Sequence, residues 1–246
     1  KNIVVTGSHG KTTTTSLLDA IFSKTKLDPT IINGGVLNSL KNSAKLGKSD
    51  WCILEADESD GSFVQVPATY SVVTNIDREH MDFYSSMDDL KNLFIKFINK
   101  VPSFGKSFIC IDSKHNNELL KKIKIKNYYT YGINPKSQFY IKNIKQMKEY
   151  SEFDLSIKLP GKKNILIKKI KIPLLGIHNI RNSTAAAAVA STIGIPKKII
   201  KQGLKEFKGV QRRFNKIFTY RESSFYDDYA HHPTEIKEVL NGVRAA

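Results

Sequence analysis

The sequence predicts an α/β protein with a mainly parallel central sheet flanked by helices. Short β-branched apolar runs alternate with helical patterns along most of the chain, as expected for right-handed βαβ units. A glycine-rich segment with a lysine follows the first run directly, which is typical of a P-loop domain. Between residues 138 and 172 the pattern changes to alternating runs, which predicts a smaller antiparallel sheet.

The composition indicates a folded chain. Of its 246 residues 40% are apolar, which is enough for a core. No stretch approaches the roughly 20 apolar residues of a membrane-spanning helix, and the first residues lack the basic start and apolar run of a secretory signal. Cys52 and Cys110 lie in apolar stretches without metal-type spacing. We therefore expect two buried free thiols in a reducing cytosol.

The charge balance is strongly basic, with 39 basic and 23 acidic residues and a net charge of +16. Such a charge can attract nucleic acid or a phosphorylated ligand. Lysine carries the excess, however, and it is spread over segments such as KKIKIK and KKNILIKKIKI. Alternating Lys and Ile suits strands with one solvated face. We expect solvated faces, and no nucleic-acid or membrane partner.

In the first half of the chain, apolar runs and helix start signals predict the elements in order. Strands are expected at residues 2–6, from residue 31, and at 51–56, 70–76, 107–111 and 128–131. Helices are expected at residues 12–24, from Ser86 and at 116–122. Ser86 and Asp89 have the spacing of a capping box at the start of the second helix.

The second half begins with three alternating runs (FYIKNI, FDLSIKL and ILIKKIKI) and a Pro160-Gly161 turn signal. Helices follow at residues 179–193 and from Pro196 to near Gly209, then a strand at 226–230 and a last helix from Pro233. A strand lies almost at the first residue, and the chain stops just after a new strand-helix unit begins. We expect a fragment of a longer protein.

The strongest functional signal lies between the first strand and the first helix. Backbone N–H groups of such a loop and the helix N-terminus favour phosphate, and the lysine can reach the β- and γ-phosphates. The threonine after the lysine can ligate Mg²⁺. The motif is shorter than the usual one, because Val5 stands where its first glycine belongs. The predicted phosphate loop consists of Gly7, Ser8, His9, Gly10, Lys11, Thr12 and Thr13.

Two further polar segments follow apolar strands. Glu55 begins EADESD, whose crowded carboxylates favour a bound cation over a merely solvated loop. His80 lies in TNIDREHMD after the next strand and could bind metal or act as an acid or base. Ligands of parallel sheets bind beyond the carboxyl ends of the strands, so we expect these segments to converge on one crevice.

These motifs, in this order and at these separations, resemble the Mur ligases of peptidoglycan synthesis. GIHNIRNSTAA, GVQRRF and DDYAHHPTE later in the chain agree, so the resemblance covers nearly all of it. It implies that the phosphate loop holds ATP, that Thr12, Glu55 and His80 lie at Mg²⁺, and that Lys11, Glu55 and His80 serve catalysis. It also implies further ATP contacts at His178, Asn179, Asn182, Arg213, Asp227 and His231. Some family members carry a carbamylated lysine on the helix after the histidine; we assign neither Lys91 nor Lys96 to the site.

The resemblance implies a central ATP-binding domain at residues 1–222 and the start of a Rossmann-like C-terminal domain at 223–246. The implied reaction joins L-alanine to UDP-N-acetylmuramate with ATP through an acyl phosphate, in the cytoplasm. Ser59, Ser62 and Phe63 favour this branch over a sister ligase that attaches a recycled murein peptide to the same sugar. A P-loop nucleic-acid-binding module is a second alternative, although the sequence shows no aromatic RNA-binding motif. A folate-type ligase is a third, and HHPTE argues against it.

Overall fold

The computed structural model describes residues 1–245. Their strands are β1 Asn2–Thr6, β2 Thr30–Leu37, β3 Asn42–Lys45, β4 Cys52–Glu55, β5 Tyr70–Val73, β6 Lys106–Cys110, β7 Tyr128–Gly132, β8 Phe139–Gln146, β9 Ser151–Ile157, β10 Ile165–Ile172, β11 Asn215–Tyr220 and β12 Ser223–Asp227. Their α-helices are α1 Lys11–Phe22, α2 Met87–Asn99, α3 Lys114–Leu119, α4 Ile177–Thr192, α5 Lys197–Lys205 and α6 Pro233–Arg244. Among these residues, no helix is both long enough and apolar enough to span a bilayer.

Ten strands form one mixed sheet in the order β10-β9-β8-β7-β6-β5-β1-β4-β2-β3. β1 is an interior strand and is parallel to β4 on one side and β5 on the other. The carboxyl ends of these three strands therefore meet at one edge. This confirms the predicted α/β class with a mainly parallel sheet.

The antiparallel strands are placed differently from the expectation. β8, β9 and β10 are antiparallel to one another, as predicted, but β8 also pairs in parallel with β7, at Tyr131 and Phe139. They therefore extend the main sheet. A small antiparallel sheet is present, but it is formed by β11 and β12. The boundary predicted between residues 222 and 223 falls in the turn of this hairpin.

Helices cover both faces of the sheet. On one face α1, α4 and α5 pack over a cluster that includes Ile3, Val5 and Leu18, all fully buried. Six consecutive buried residues of α4, 185 to 190, are alanine or valine, and these small side chains let α4 lie close to α1. On the other face α2 packs through Phe94 and Phe97.

The start of α2 confirms the predicted cap. The Ser86 hydroxyl accepts a hydrogen bond from the Asp89 backbone N–H at 3.1 Å. This satisfies one of the N–H groups that a helix start leaves without a partner. The short strand β3, with the sequence NSAK, was not predicted, because it contains no apolar run. It is the edge strand beside β2.

Candidate functional site

The phosphate loop joins β1 to α1 at the edge of the sheet where β1, β4 and β5 end. Val5 is fully buried within β1, which explains why the motif has no glycine there. The Ser8 and His9 backbone N–H groups donate to the backbone and side-chain oxygens of Asn75, at 3.0 and 2.9 Å. The N–H groups of the first turn of α1 have no acceptor within the helix. Together with the helix dipole, these N–H groups form a potential binding site for an anion.

Lys11 is held by carboxylates that follow β4. Its Nζ lies 2.8 Å from Glu58 Oε2 and 3.4 Å from Asp57 Oδ1, and it also donates to the Ser8 carbonyl at 3.2 Å. Burial alone would lower the pKa of Lys11, but the neighbouring carboxylates, with Glu58 foremost, together outweigh burial and raise it. The ammonium therefore stays charged where a phosphate would arrive.

Thr12 and Glu55 are brought together, as predicted. The Thr12 hydroxyl donates to Glu55 Oε1 at 3.0 Å, and Oε2 of the same carboxylate accepts from the Gly34 N–H at 2.8 Å. A hydroxyl and a carboxylate are hard oxygen donors of the kind that Mg²⁺ takes. The donor set therefore fits the ion that the resemblance implies.

His80 lies beside the other carboxylates of the acidic segment. Its Nε2 is 3.6 Å from Glu58 Oε1. Asp57, Glu58 and His80 each offer one ligand atom, and these atoms lie within 4.8 Å of one another. His80 has a left-handed backbone with φ of 58°, a conformation that is uncommon for any residue but glycine. The structure thus groups the predicted metal ligands as a Thr12–Glu55 pair and a His80 set.

A cavity of about 320 Å³ adjoins the phosphate loop. This volume is in the range of small-molecule sites. Its walls come from the phosphate loop, the segments after β5, β6 and α5, and helices α4 and α6. The predicted ATP contacts among its lining residues are His9, Gly10, Thr13, His178, Asn179, Asn182 and Arg213.

The asparagines of α4 also have structural contacts. Asn179 Nδ2 donates to the Leu175 carbonyl at 2.8 Å. Asn182 lies against Gly10, since a Cβ built on that glycine would come within 2.6 Å of Asn182 Oδ1. Gly10 has φ of 84°, so the loop needs glycine there for its backbone as well.

Six predicted contacts lie outside the cavity lining: Gly7, Ser8, Lys11 and Thr12 of the phosphate loop, and Asp227 and His231. Asp227 pairs with Arg212 at 3.7 Å, and His231 is largely exposed with Nδ1 3.1 Å from the Tyr229 carbonyl. Their neighbour Asp228 lines the cavity instead and accepts from the Phe214 N–H at 2.7 Å.

A contact between the phosphate loop and α6 was not predicted. His9 Nε2 lies 3.1 Å from Asp77 Oδ2, and His9 Nδ1 lies 3.4 Å from Glu235 Oε1. The Thr234 hydroxyl donates to Asp77 Oδ2 at 2.7 Å. We call His9, Asp77, Thr234 and Glu235 the loop–helix contact.

The loop–helix contact shifts the pKa of each of its charged groups. Burial opposes ionisation of Glu235, but His9 and Arg213 outweigh it and lower the pKa to about 2. Burial likewise disfavours the ionised form of Asp77. Hydrogen bonds from Thr234 and other donors outweigh this effect and lower the pKa of Asp77 to about 2. The carboxylates raise the pKa of His9 despite its burial. These directions favour the protonated form of His9 between the two carboxylates.

Glu58, Asp77, Thr234 and Glu235 are the site residues that sequence analysis missed. Each lies inside or beside a motif that was recognised: Glu58 in EADESD, Asp77 in TNIDREHMD, and Thr234 and Glu235 in HHPTE. No spacing rule singles them out, because their partners are distant in the chain. Lys91, which was left unassigned, pairs with Glu118 at 2.6 Å.

Comparison with known proteins agrees with this architecture. The family described as Mur ligase middle domain matches residues 5–190. A UDP-N-acetylmuramate–L-alanine ligase of Pelagibacter ubique (strain HTCC1062) is 83% identical over 246 residues, which is 100% of this chain and 53% of that protein. The ligase of the same name from Bartonella tribocorum is 42% identical over 98% of this chain and 51% of its own length. The chain thus spans about half the length of these relatives.

Solved structures share the fold. The crystal structure of UDP-N-acetylmuramate-alanine ligase MurC from Thermotoga maritima superposes with a TM-score of 0.82 at 25% identity, over 100% of this chain and 54% of that one. MurF from Acinetobacter baumannii gives a TM-score of 0.82 at 21% identity, over 100% of this chain and 54% of its own, and shows the fold alone. A family match over most of the chain, joined to a phosphate loop and acidic segments at one sheet edge, places this chain in the Mur ligase family.

Proposed function

We propose that this chain is the ATP-using centre of a cytoplasmic enzyme that joins L-alanine to UDP-N-acetylmuramate. One observation carries the proposal: His9, Gly10 and Thr13 of the phosphate loop line the 320 Å³ cavity, so a nucleotide there would bring its phosphates to the loop that carries Lys11. The identity of 83% to a ligase of that name supports the choice of substrates.

The reaction proceeds in two steps. A carboxylate oxygen of UDP-N-acetylmuramate attacks the γ-phosphorus of ATP, and ADP leaves as an acyl phosphate forms. The amine of L-alanine then attacks the acyl carbon, phosphate leaves, and the nitrogen loses a proton as the amide forms.

The first step brings two anions together. At about 4 Å their repulsion is about 4 kcal/mol at the effective dielectric constant of a protein surface. Lys11 and the free N–H groups of α1 offset it by binding the phosphate oxygens. When bound, Mg²⁺ would neutralise further phosphate charge, and Thr12, Glu55 and His80 would hold it. In this role Glu55 and His80 position charge and need not move protons.

The cavity suits the nucleoside. His178, Asn179 and Asn182 on α4 line it together with Arg213, so several polar side chains converge on one cavity. In this proposal the α4 residues contact the adenine, and Arg213 contacts a phosphate or the ribose. Asp227 and His231 remain proposed contacts of the nucleotide-bound form.

Calorimetric titration of the chain with Mg²⁺ and a non-hydrolysable ATP analogue tests the nucleotide site. We expect saturable binding that Lys11→Ala weakens and Lys91→Ala leaves unchanged, since Lys91 pairs with Glu118 away from the phosphate loop. A folded chain that binds no nucleotide would contradict the proposal.

A ligation assay tests which substrates are joined, and it is carried out on the protein in its natural length. We expect UDP-N-acetylmuramate to be joined to L-alanine in preference to glycine and to murein tripeptide. A preference for the tripeptide would instead identify the sister ligase.

A further inference from the structure

We propose that Glu58 is a positioning residue for phosphate transfer, because its buried carboxylate holds the Lys11 ammonium in place before the nucleotide arrives. The inference rests on the proposed function and adds a residue to its machinery.

The carboxylate of Glu58 is placed between two functional side chains. Its side chain is fully buried, with 0% exposure. Oε2 receives a hydrogen bond from Lys11 Nζ at 2.8 Å. Oε1 is also buried, has no hydrogen-bond partner, and faces His80 Nε2 at 3.6 Å. One carboxylate thus links the segments that follow β1 and β5.

Hydrogen bonds to the backbone of Glu58 fix the position of its carboxylate. The Glu58 carbonyl accepts from the Gly61 N–H at 3.1 Å and from the Tyr84 hydroxyl. Tyr84 is itself buried in the cluster under α2. The segment after β4 is therefore fastened to the core, and a shift of Glu58 would break these bonds.

Burial of a carboxylate has an energetic cost that a purely structural residue would avoid. A buried ion pair contributes little net stability compared with apolar side chains of the same volume. Its gain is orientation: an ammonium has three donors on a flexible stem, and Glu58 with the Ser8 carbonyl fixes two of them. Lys11 is thereby ordered at the phosphate loop before the reaction, as electrostatic catalysis requires.

Asp57 is a natural comparison, because it also lies near Lys11. Its carboxylate is 3.4 Å away and its side chain is 58% exposed. Water screens such a pair, so Asp57 constrains Lys11 much less. The geometry therefore assigns the positioning role to Glu58 specifically.

Lysine-selective NMR of the nucleotide-free chain tests the positioning directly. We expect the Lys11 ammonium protons to exchange slowly with water, and Glu58→Gln to accelerate that exchange while leaving Lys91 unchanged. Glu118→Gln is the matched control, since it removes the carboxylate 2.6 Å from Lys91 and should affect only that lysine. Fast exchange of Lys11 in the unmutated chain would overturn the proposal without bearing on the proposed function.

Ligation kinetics of the natural-length protein provide the second test. Glu58→Gln keeps the volume and an acceptor oxygen, so we expect kcat to fall by about ten- to a hundredfold, the effect of misplacing a reacting group by about 1 Å. KM for ATP should not rise, because the substitution also removes a negative charge from the phosphate site. Glu58→Asp should recover part of kcat relative to Glu58→Ala, and Glu118→Gln should match the unmutated protein.

Three outcomes would overturn the proposal. One is a Glu58→Gln kcat within about twofold of the unmutated value, a difference too small for a positioning effect. Another is an equal loss in Asp57→Asn, which would indicate a general charge effect. The third is full recovery of Glu58→Gln at high Mg²⁺, which would make Glu58 a metal ligand. An unmutated protein that binds no ATP would contradict the proposed function instead, and the exchange experiment would still decide the role of Glu58.

Discussion

Asn182 reaches the phosphate loop from α4 and also lines the cavity. Sequence analysis identified this residue as an ATP contact. The structure adds a contact with Gly10, whose missing Cβ leaves the space that the Asn182 amide occupies. The two residues therefore connect the phosphate loop to α4 in the wall of the cavity.

Gly10→Ala should destabilise the chain by more than the backbone strain alone. The φ of 84° at Gly10 would cost alanine about 1–2 kcal/mol, the range for a left-handed residue. The clash with Asn182 Oδ1 adds to this cost. Urea unfolding of Gly10→Ala, Asn182→Ala and the double variant measures the two effects. We expect the double variant to be more stable than the sum predicts; strict additivity would contradict the contact.

Lys11→Ala should slow ligation severely even at saturating ATP. In the proposed function the lysine binds phosphate charge that moves during phosphoryl transfer, and groups that stabilise the transition state act on kcat. We expect kcat to fall by about 10²- to 10³-fold, the effect of removing one transition-state donor. Steady-state ligation measures it, with Lys96→Ala as a control on α2. A loss confined to KM would contradict the assignment.

At the scale of elements, the first turn of α6 is fastened to the phosphate loop by the loop–helix contact. Its pH dependence follows from the directions of the pKa shifts. Glu235 and Asp77 have lowered pKa values, so their stabilisation is present above their ordinary values of 4.5 and 3.8 and is lost as pH falls through about 2. His9 has a raised pKa, so its stabilisation is complete below 6.5 and is lost as pH rises through the folded-state value.

The loop–helix contact should therefore stabilise the fold most between about pH 4.5 and 6.5. The difference in free energy of unfolding between the unmutated chain and Glu235→Gln measures this. We expect it to be largest in that window and to shrink on both sides. Glu149→Gln, an exposed substitution on the turn after β8, is the control. A difference that stays constant from pH 3 to 9 would contradict the contact.

Local patterns predicted most elements but not their partners. Some features depend only on residues that are close together in the sequence, and the structure confirms them. They are the apolar run of β1, the glycine-rich segment after it and the Ser86 cap. Thr234 and Asp77, in contrast, are 157 residues apart. No periodicity links such a pair. The joining of β8 to β7 was missed for the same reason, because alternation predicts a strand and not its neighbour.

At the scale of the whole molecule, the hairpin of β11 and β12 and helix α6 pack loosely beside the main sheet. Ile217, Phe218 and Leu240 are each at least half exposed. Gly242 of helix α6 lies against Gly176, the residue before α4, since a Cβ on Gly242 would lie 3.0 Å from the Gly176 Cα. His178 and Glu238, 3.7 Å apart, flank this contact.

Gly242→Ala should lower nucleotide affinity by moving α6 away from α4. The added methyl group would lie 3.0 Å from the Gly176 Cα, so the backbone there would have to shift. Asn241→Ala, on the exposed side of the same helix, is the matched control. We expect the ATP-analogue affinity of Gly242→Ala to fall by about tenfold, or about 1.4 kcal/mol. Calorimetric titration measures it. Equal affinities of the two variants would show that α6 does not form a wall of the nucleotide site.

The cavity has lining residues from both extremes of the chain, from His9 to Val243. A ligand that fills it would hold together segments that have few other contacts. Its binding free energy would then oppose local opening of the last 30 or so residues, since a ligand stabilises only the conformations that bind it. Cleavage by a protease at the turn between β11 and β12 should accordingly be fast in the free chain and suppressed by MgATP.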